Sequence, residues 1–202
     1  DCIKNLDEYQ EAIKKIRYHV RRAGNVTHRL LGFSRKISAE KECVNINEIL
    51  EETVSFVENE AKNNNILINR NLNENLPKTM TDGPHLQQVF LNLFNNALDA
   101  IEQNGSIDIT TREDKKFIFV EIADSGPGID PKIMNQIFDP FFTTKDPGKG
   151  TGLGMSICYD IMKKLGGSIR VKNRKEGGAI FSLAIPIRDR SQSSEVNQWS
   201  FH

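Results

Sequence analysis

The chain has 202 residues, with 27 Lys+Arg set against 27 Asp+Glu, so its formal net charge is zero. That balance argues against the basic footprint of a nucleic-acid binder and against an acidic, solvating block. No apolar run approaches the ~18–20 residues of a membrane span, and residues 1–22 alternate charge with isolated apolar residues, unlike a signal peptide.

Residues 1–40 read as one long helix. Leu6, Tyr9, Ile13, Ile16, Val20, Ala23, Thr27, Leu30, Ser34 and Ile37 fall at alternating steps of three and four, a heptad seam held for more than four heptads. About 37 residues at 1.5 Å rise make a rod of roughly 55 Å. Such a rod cannot bury its seam alone, so a partner helix is expected, and with it a homodimer through this segment. Thr27 and Ser34 make the seam imperfect.

The composition changes near Cys43. "CVNI" suits a short strand, and Asn47 is expected to cap the helix "NEILEETVSFVENEAKNN". "ILINRNL" reads as a strand and "NENLPKTMTD" as a loop. Asp82 caps the helix "GPHLQQVFLNLFNNALDAIEQN", with Pro84 in its first turn and Gly105 at its end. "SIDITTR" and "KFIFVEIAD" alternate as strands joined by a hairpin, and "SGPGI" breaks the second. "PKIMNQIF" reads as a short helix and "DPFFTTKDPGKGTGLG" as a long loop. A helix over about 154–165 follows, then "GGSIRVKNR" and "GGAIFSLAIPI" as paired strands. The predicted organisation is a helix at 1–42, an α+β domain at 43–187 and a polar tail at 188–202. The α+β domain is a two-layer sandwich, a mixed sheet covered on one face by helices. Cys2, Cys43 and Cys158 show no CxxC or zinc spacing and read as free thiols in a reducing compartment, with Cys158 in the core.

Three stretches carry chemistry. In "DSGPGI", Asp124 ends an apolar strand, so its carboxylate sits half-buried and needs a donor, such as an exocyclic adenine amine. Gly126 and Gly128 clear side chains beside it; a simple turn built on Asp124 also suits the pattern. In "GKGTGLGMS", glycine amides followed by a helix N-terminus can wrap phosphates, although a flexible surface loop has the same composition. The stretch is neither a P-loop nor a dinucleotide fingerprint, since no GxxxxGK[ST] occurs and Met155 stands where a third glycine belongs. In "NLFNNALDA", Asn92, Asn96 and Asp99 share one helix face. They suit a magnesium ion carrying phosphates, or simply a solvated face.

In order and spacing, "NLFNNALDA", "DSGPG", "IFDPFFTTK" and "GKGTGLGMS" resemble the N box, first glycine box, F box and second glycine box of the sensor histidine kinases. These share a nucleotide-binding domain with type II topoisomerases, ninety-kilodalton heat-shock chaperones and mismatch-repair ATPases. The resemblance spans about 43–187 and implies a Bergerat-type ATP-binding fold behind a coiled-coil-like helix. It implies ATP and Mg2+ as cofactors, transfer of the γ-phosphate to a histidine, and a response regulator receiver domain as partner. Asp124 would accept the adenine amine, Asn96 would hold Mg2+, and Asn92 would order the phosphates. Gly126, Gly128, Gly150, Gly152 and Gly154 would shape the pocket, with Asp99, Ile129, Thr151 and Leu153 beside the nucleotide. In the lid, Lys145 would counter phosphate charge near Thr143 and Thr144, while Phe138 and Phe142 anchor its base. Asn92 and Lys145 are thus the catalytic candidates.

Residues 1–40, ending in "RLLGFSR", resemble the second helix of the family's dimerisation hairpin. The family's acceptor histidine precedes an acidic residue, whereas here His19 precedes Val20 and His28 precedes Arg29. The chain is therefore expected to begin after the acceptor helix. It is expected in the cytoplasm, without membrane contact of its own, from a parent that can be membrane-anchored. A hydrolytic ATPase of the topoisomerase or chaperone branch would carry a glutamate base where Asn92 stands, and an amide is no general base. A silent dimerisation scaffold would have no use for intact glycine boxes.

Overall fold

The computed structural model describes Tyr9, residues 41–145 and residues 150–189. The heptad seam, except for Tyr9, lies outside the described residues, as do lid residues 146–149 and the tail beyond 189. Tyr9 itself is helical and exposed. Contacts divide the chain into two compact units, Asp1–Ala39 and Glu40–His202.

The second unit is the expected α+β sandwich. Its elements are β1 (Glu42–Val44), α1 (Ile46–Asn63), β2 (Ile66–Asn71), β3 (Thr79–Thr81), α2 (Gly83–Ile101), β4 (Gly105–Glu113), β5 (Phe117–Asp124), α3 (Gly154–Lys164), β6 (Ser168–Asn173) and β7 (Ala179–Pro186). Five strands form a sheet in the order β2-β4-β5-β7-β6. β2 runs parallel to β4 and the other neighbours are antiparallel, so the sheet is mixed. Alternation along β5 and β7 turns Ile118, Val120, Ile122, Phe181, Leu183 and Ile185 to one buried face. The three helices contribute to the same core cluster. α2 supplies most to it: Phe90 and Phe94 are fully buried, each contributing roughly 1.5–3 kcal/mol. Among the described residues, no helix is long and apolar enough to cross a membrane.

Several local readings change. Asn45, not Asn47, caps α1, its side chain accepting from the Asn47 amide at 3.0 Å. Asn47 instead bridges elements: its Nδ2 donates to the Asn73 carbonyl at 2.8 Å, and its Oδ1 accepts from Thr111 Oγ1 at 3.1 Å. The loop "NENLPKTMTD" contains β3, which pairs antiparallel with β1. Asp82 caps α2 as expected, accepting from the His85 amide at 3.0 Å. α2 ends at Ile101, four residues before Gly105; Glu102 and Asn104 take positive φ, and Gly105 opens β4. Residues 131–138 are successive turns rather than a helix. Their amides reach back three residues, Ile133 to Asp130 at 3.0 Å and Gln136 to Ile133 at 2.8 Å. So short a segment cannot offset helix nucleation alone, and docking of Ile137 and Phe138 on the core sets its path. Backbone pairing also runs past the expected boundary at 187: Arg188 donates to Thr79 Oγ1 at 2.9 Å and accepts from the Met80 amide at 3.0 Å.

The two asparagines should therefore separate in stability. Asn45→Ala removes a cap, at a cost of about 1 kcal/mol. Asn47→Ala strips partners from Asn73 and Thr111 and should cost about 1–3 kcal/mol. Urea unfolding of the two variants measures the order.

Candidate functional site

The polar side of α2 holds the first group of candidate residues. Asn92 is buried, and its Nδ2 donates a long bond, 3.5 Å, to the Gly154 carbonyl at the start of α3. One turn on, Asn96 is half-buried and makes no side-chain hydrogen bond among the described contacts. Asp99, a further turn along, is exposed and accepts from Lys145 Nζ at 2.5 Å. Two residues expected beside the nucleotide thus meet each other. The side chains of Lys145 and Asp99 are 37% and 57% exposed, so the pair is worth only about 0–1 kcal/mol.

Asp124 closes β5 on its buried face at 4% exposure. Its Oδ1 accepts from the Gly126 amide at 2.9 Å and from the Ala179 amide at 3.3 Å. Among the described contacts, Oδ2 has no partner. Burial pushes the carboxyl above its ordinary range, against the pull of those two amides and of the Arg174 cation. A Cβ on Gly126 would stand 3.0 Å from both the Ala100 carbonyl oxygen and Asp124 Oδ1, so a side chain there would crowd the carboxylate and the end of α2. Gly128 has φ +79°, and Ile129 follows it with its amide on Asn173 Oδ1 at 2.9 Å.

The described part of the lid begins on a firm base. Phe138 packs on the core, its ring 5.8 Å from that of Tyr159. Phe142 is half-buried after a turn in which its amide donates to Asp139 at 3.3 Å. Phe141 is no core residue: it is 75% exposed with φ +67°. Thr143 and Thr144 are exposed, and Thr143 Oγ1 accepts from the Lys145 amide at 3.2 Å. On the far side, Gly150 lies against Thr143 and Lys145. Thr151 Oγ1 accepts from the Leu153 amide at 3.4 Å. Leu153 stands at the N-cap of α3 without a side-chain capping bond, and Gly154 is the first helical residue. The amides there point out of a helix start whose partial positive charge favours an anion. Cys158, further along α3, is fully buried as expected.

The sequence reading missed the turn between β6 and β7. Asn173 holds Ile129 on both sides, also donating Nδ2 to its carbonyl at 2.6 Å. Arg174 Nη1 donates to Asp108 Oδ2 at 2.9 Å and to the Asp124 carbonyl at 3.4 Å. Gly178, φ +93°, packs against the Asp124 carbonyl. The paired glycines at 177 and 178 were a visible signal, but one that also suits an ordinary hairpin.

The family model of histidine kinase-, DNA gyrase B-, and HSP90-like ATPases matches residues 81–189, more than half of the chain. The chain belongs to this family. Its curated relatives include the sensor histidine kinase ZraS of Salmonella typhimurium, 34% identical over 172 residues, a match covering 85% of this chain and 37% of ZraS. The chain thus spans little more than a third of that relative's length. Among solved structures, the nucleotide-free catalytic domain of histidine kinase ThkA is similar with TM-score 0.68 and 36% identity, over 74% of this chain and 97% of that one. ThkA in complex with response regulator TrrA is similar with TM-score 0.70 and 30% identity, over 84% of this chain and 48% of that one. In this member of the ATPase family, Gly126 lies against Ala100 of α2, Gly152 against the Phe141 backbone, and Gly154 within reach of Asn92.

Gly152 tests the second glycine box. Its φ is +65°, and a Cβ would collide with the Phe141 backbone. Gly152→Ala should cost roughly 1–2 kcal/mol in left-handed strain alone and detach the 150–153 segment from Phe141. Limited proteolysis should then cut the lid faster than in the parent chain, while β-sheet circular dichroism stays unchanged.

Proposed function

We propose that this domain binds Mg-ATP and presents the γ-phosphoryl group to a histidine on a dimerisation helix, from which a response regulator receives it. Family membership and the sensor-kinase relatives support the reading. Within the site, the observation that carries it is Asp124, whose Oδ1 is bound by the scaffold while Oδ2 is left for a ligand. An adenine amine donates to such an oxygen, and the glycines at 126 and 128 let the flat ring approach. Asn96 and Asn92 lie one turn apart, and the uncapped start of α3 faces the same region.

Mg2+ fits the donor set in a limited sense. It takes few protein ligands when phosphates and waters supply the rest, and the unengaged amide of Asn96 can be one of them. Among the described residues, no cluster of three His, Cys, Asp or Glu forms a closed metal cage. The ion supplies charge neutralisation and phosphate orientation. Lys145 leaves Asp99 at small cost and turns to the phosphates. Asn92 bonds to Gly154 and cannot take a proton from water, so hydrolysis is slow and the nucleotide persists. Transfer awaits a histidine placed in line with the γ-phosphate. The helix at 1–42 is the proposed dimerisation element, and Ile16→Asp should weaken the dimer seen by light scattering.

Asp124→Asn tests the acceptor role. Because Oδ1 holds two backbone amides, the new amide nitrogen faces the pocket and meets the adenine amine donor to donor. Calorimetry should show ATP affinity reduced by about 10- to 100-fold, or about 1.5–3 kcal/mol. The empty protein should not lose stability. Burial raises the folded-state pKa of Asp124, so its contribution is greatest at low pH and is lost as pH rises through the folded value. A neutral side chain avoids that loss, and the melting temperature near neutral pH should hold or rise. With γ-labelled ATP, this chain should retain nucleotide without acid-labile label on His19 or His28. Supplying a helix that bears a histidine followed by an acidic residue should restore labelling. Unchanged affinity in Asp124→Asn would overturn the reading.

A further inference from the structure

Arg174 has no part in the phosphate or metal chemistry proposed above, yet it lies directly behind Asp124. It sits on the β6–β7 turn, which is pinned from both ends. Asn173 clamps Ile129 by two bonds of 2.9 and 2.6 Å, and the Arg174 amide donates to the Gly178 carbonyl at 2.9 Å. The guanidinium is therefore not a loose surface group. Its Nη1 reaches Asp108 Oδ2 and the Asp124 carbonyl, and Asp108 Oδ1 in turn accepts from Asn69 Nδ2 at 2.7 Å. A chain of polar contacts thus runs from β2 through β4 and the turn to the end of β5.

We propose that Arg174, oriented by Asp108, is a positioning residue that keeps the buried Asp124 carboxylate ionised and aimed for the adenine amine. This rests on the acceptor reading of Asp124. The charged groups on the surrounding elements are Asp108 on β4, the exposed Lys172 on β6, Arg174, Lys175 and Glu176 on the turn, and Asp99 on α2. Asp99 is engaged by Lys145, and Lys175 and Glu176 are exposed. Arg174 is the cation whose charge acts on Asp124, opposing the effect of burial. The same turn places the Ala179 amide on Oδ1. The pair is not sealed: Asp108 and Arg174 line an open cavity of about 460 Å3 on the sheet face turned away from the helices of this unit. Water there screens the charge, so a moderate effect is expected rather than an abolished site.

The test is ATP affinity against pH, measured by calorimetry on the full chain. The nucleotide's own titration is common to all variants and cancels between them. Arg174→Gln should weaken binding about 3- to 10-fold on the acid limb of the profile and move that limb toward neutral pH, with a smaller loss where the carboxylate stays ionised. Arg174→Lys keeps a cation and should restore most of the acid limb. Asp108→Asn removes a negative charge while its amide oxygen still accepts from Arg174, with Asn69 turning its own amide to match. It should move the acid limb the opposite way, to lower pH. Inorganic triphosphate, which lacks the base, should bind all variants alike.

A purely structural role would weaken binding without moving the limb, and that outcome overturns the proposal. So does an Asp108→Asn profile that moves in the same direction as Arg174→Gln. Asp124→Asn separates the two readings. If it binds ATP normally, the acceptor reading falls and this inference falls with it. If it is defective while Arg174→Gln matches the parent, this inference alone is overturned. Should Arg174→Gln fail to fold, the opposite-signed shift of Asp108→Asn decides the matter alone.

Discussion

A carboxylate taken out of water constrains this domain more than any other single group. Asp124 ends the strand at the centre of the sheet, on the face packed against the helices, and is 4% exposed. An ionised group in such a place must be surrounded by donors or lose its charge. The neighbouring chain supplies them by close backbone approach. Gly126 turns back to donate one amide, and the glycines before Ala179 let β7 begin close enough to donate another. Side chains at these points would push the donors away. The glycines around Asp124 thus serve its solvation as well as access to it.

α2 joins that constraint to the rest of the site. One side of the helix carries Leu86, Val89, Phe90, Leu93, Phe94 and Ala97 into the core, which fixes its rotation and height against the sheet. The opposite side therefore has no freedom of its own, and Asn92, Asn96 and Asp99 inherit their positions from the packing of the apolar residues between them. The lid is held differently. Phe138 is seated on the core and Tyr159, but beyond Phe142 the described contacts are turns, a threonine hydroxyl and one exposed ion pair. Each of these is worth little, so this side of the site can rearrange without disturbing the scaffold.

The sheet face turned away from the helices of this unit also bears on the buried side. Asp108 and Arg174 meet there, and their contact reaches the backbone of Asp124 at the end of β5. The wall beside Asp124 is thus built by two segments about fifty residues apart, the loop after β5 and the turn after β6. Of the two, only the loop after β5 stood out in the sequence.

Local pattern was enough for the elements with strong periodicity. Two-residue alternation identified β4, β5 and β7, and the apolar spacing with Asp82 and Pro84 located α2, because burial on one face imposes those periods on the sequence. The two glycine boxes were legible for a related reason: glycine is costly in helices and strands, so where it clusters it marks special backbone, whereas the N box and F box came from the family resemblance. The sequence could not decide what depends on partners distant in the chain. Asn45 and Asn47 are chemically identical at either side of a helix start, and only the arrival of Asn73 and Thr111 made one a cap and the other a bridge. β3 exists because β1 lies beside it, and the path of residues 131–138 is set by the packing of Ile137 and Phe138 on the core. Lys145, expected at the phosphates, and Asp99, expected beside the nucleotide and its magnesium, face each other where the lid meets α2. Asn173 and Arg174 were passed over because hydrogen bonds across 44 and 66 residues leave no periodic trace in sequence; the tertiary structure alone brings them to Ile129 and Asp108.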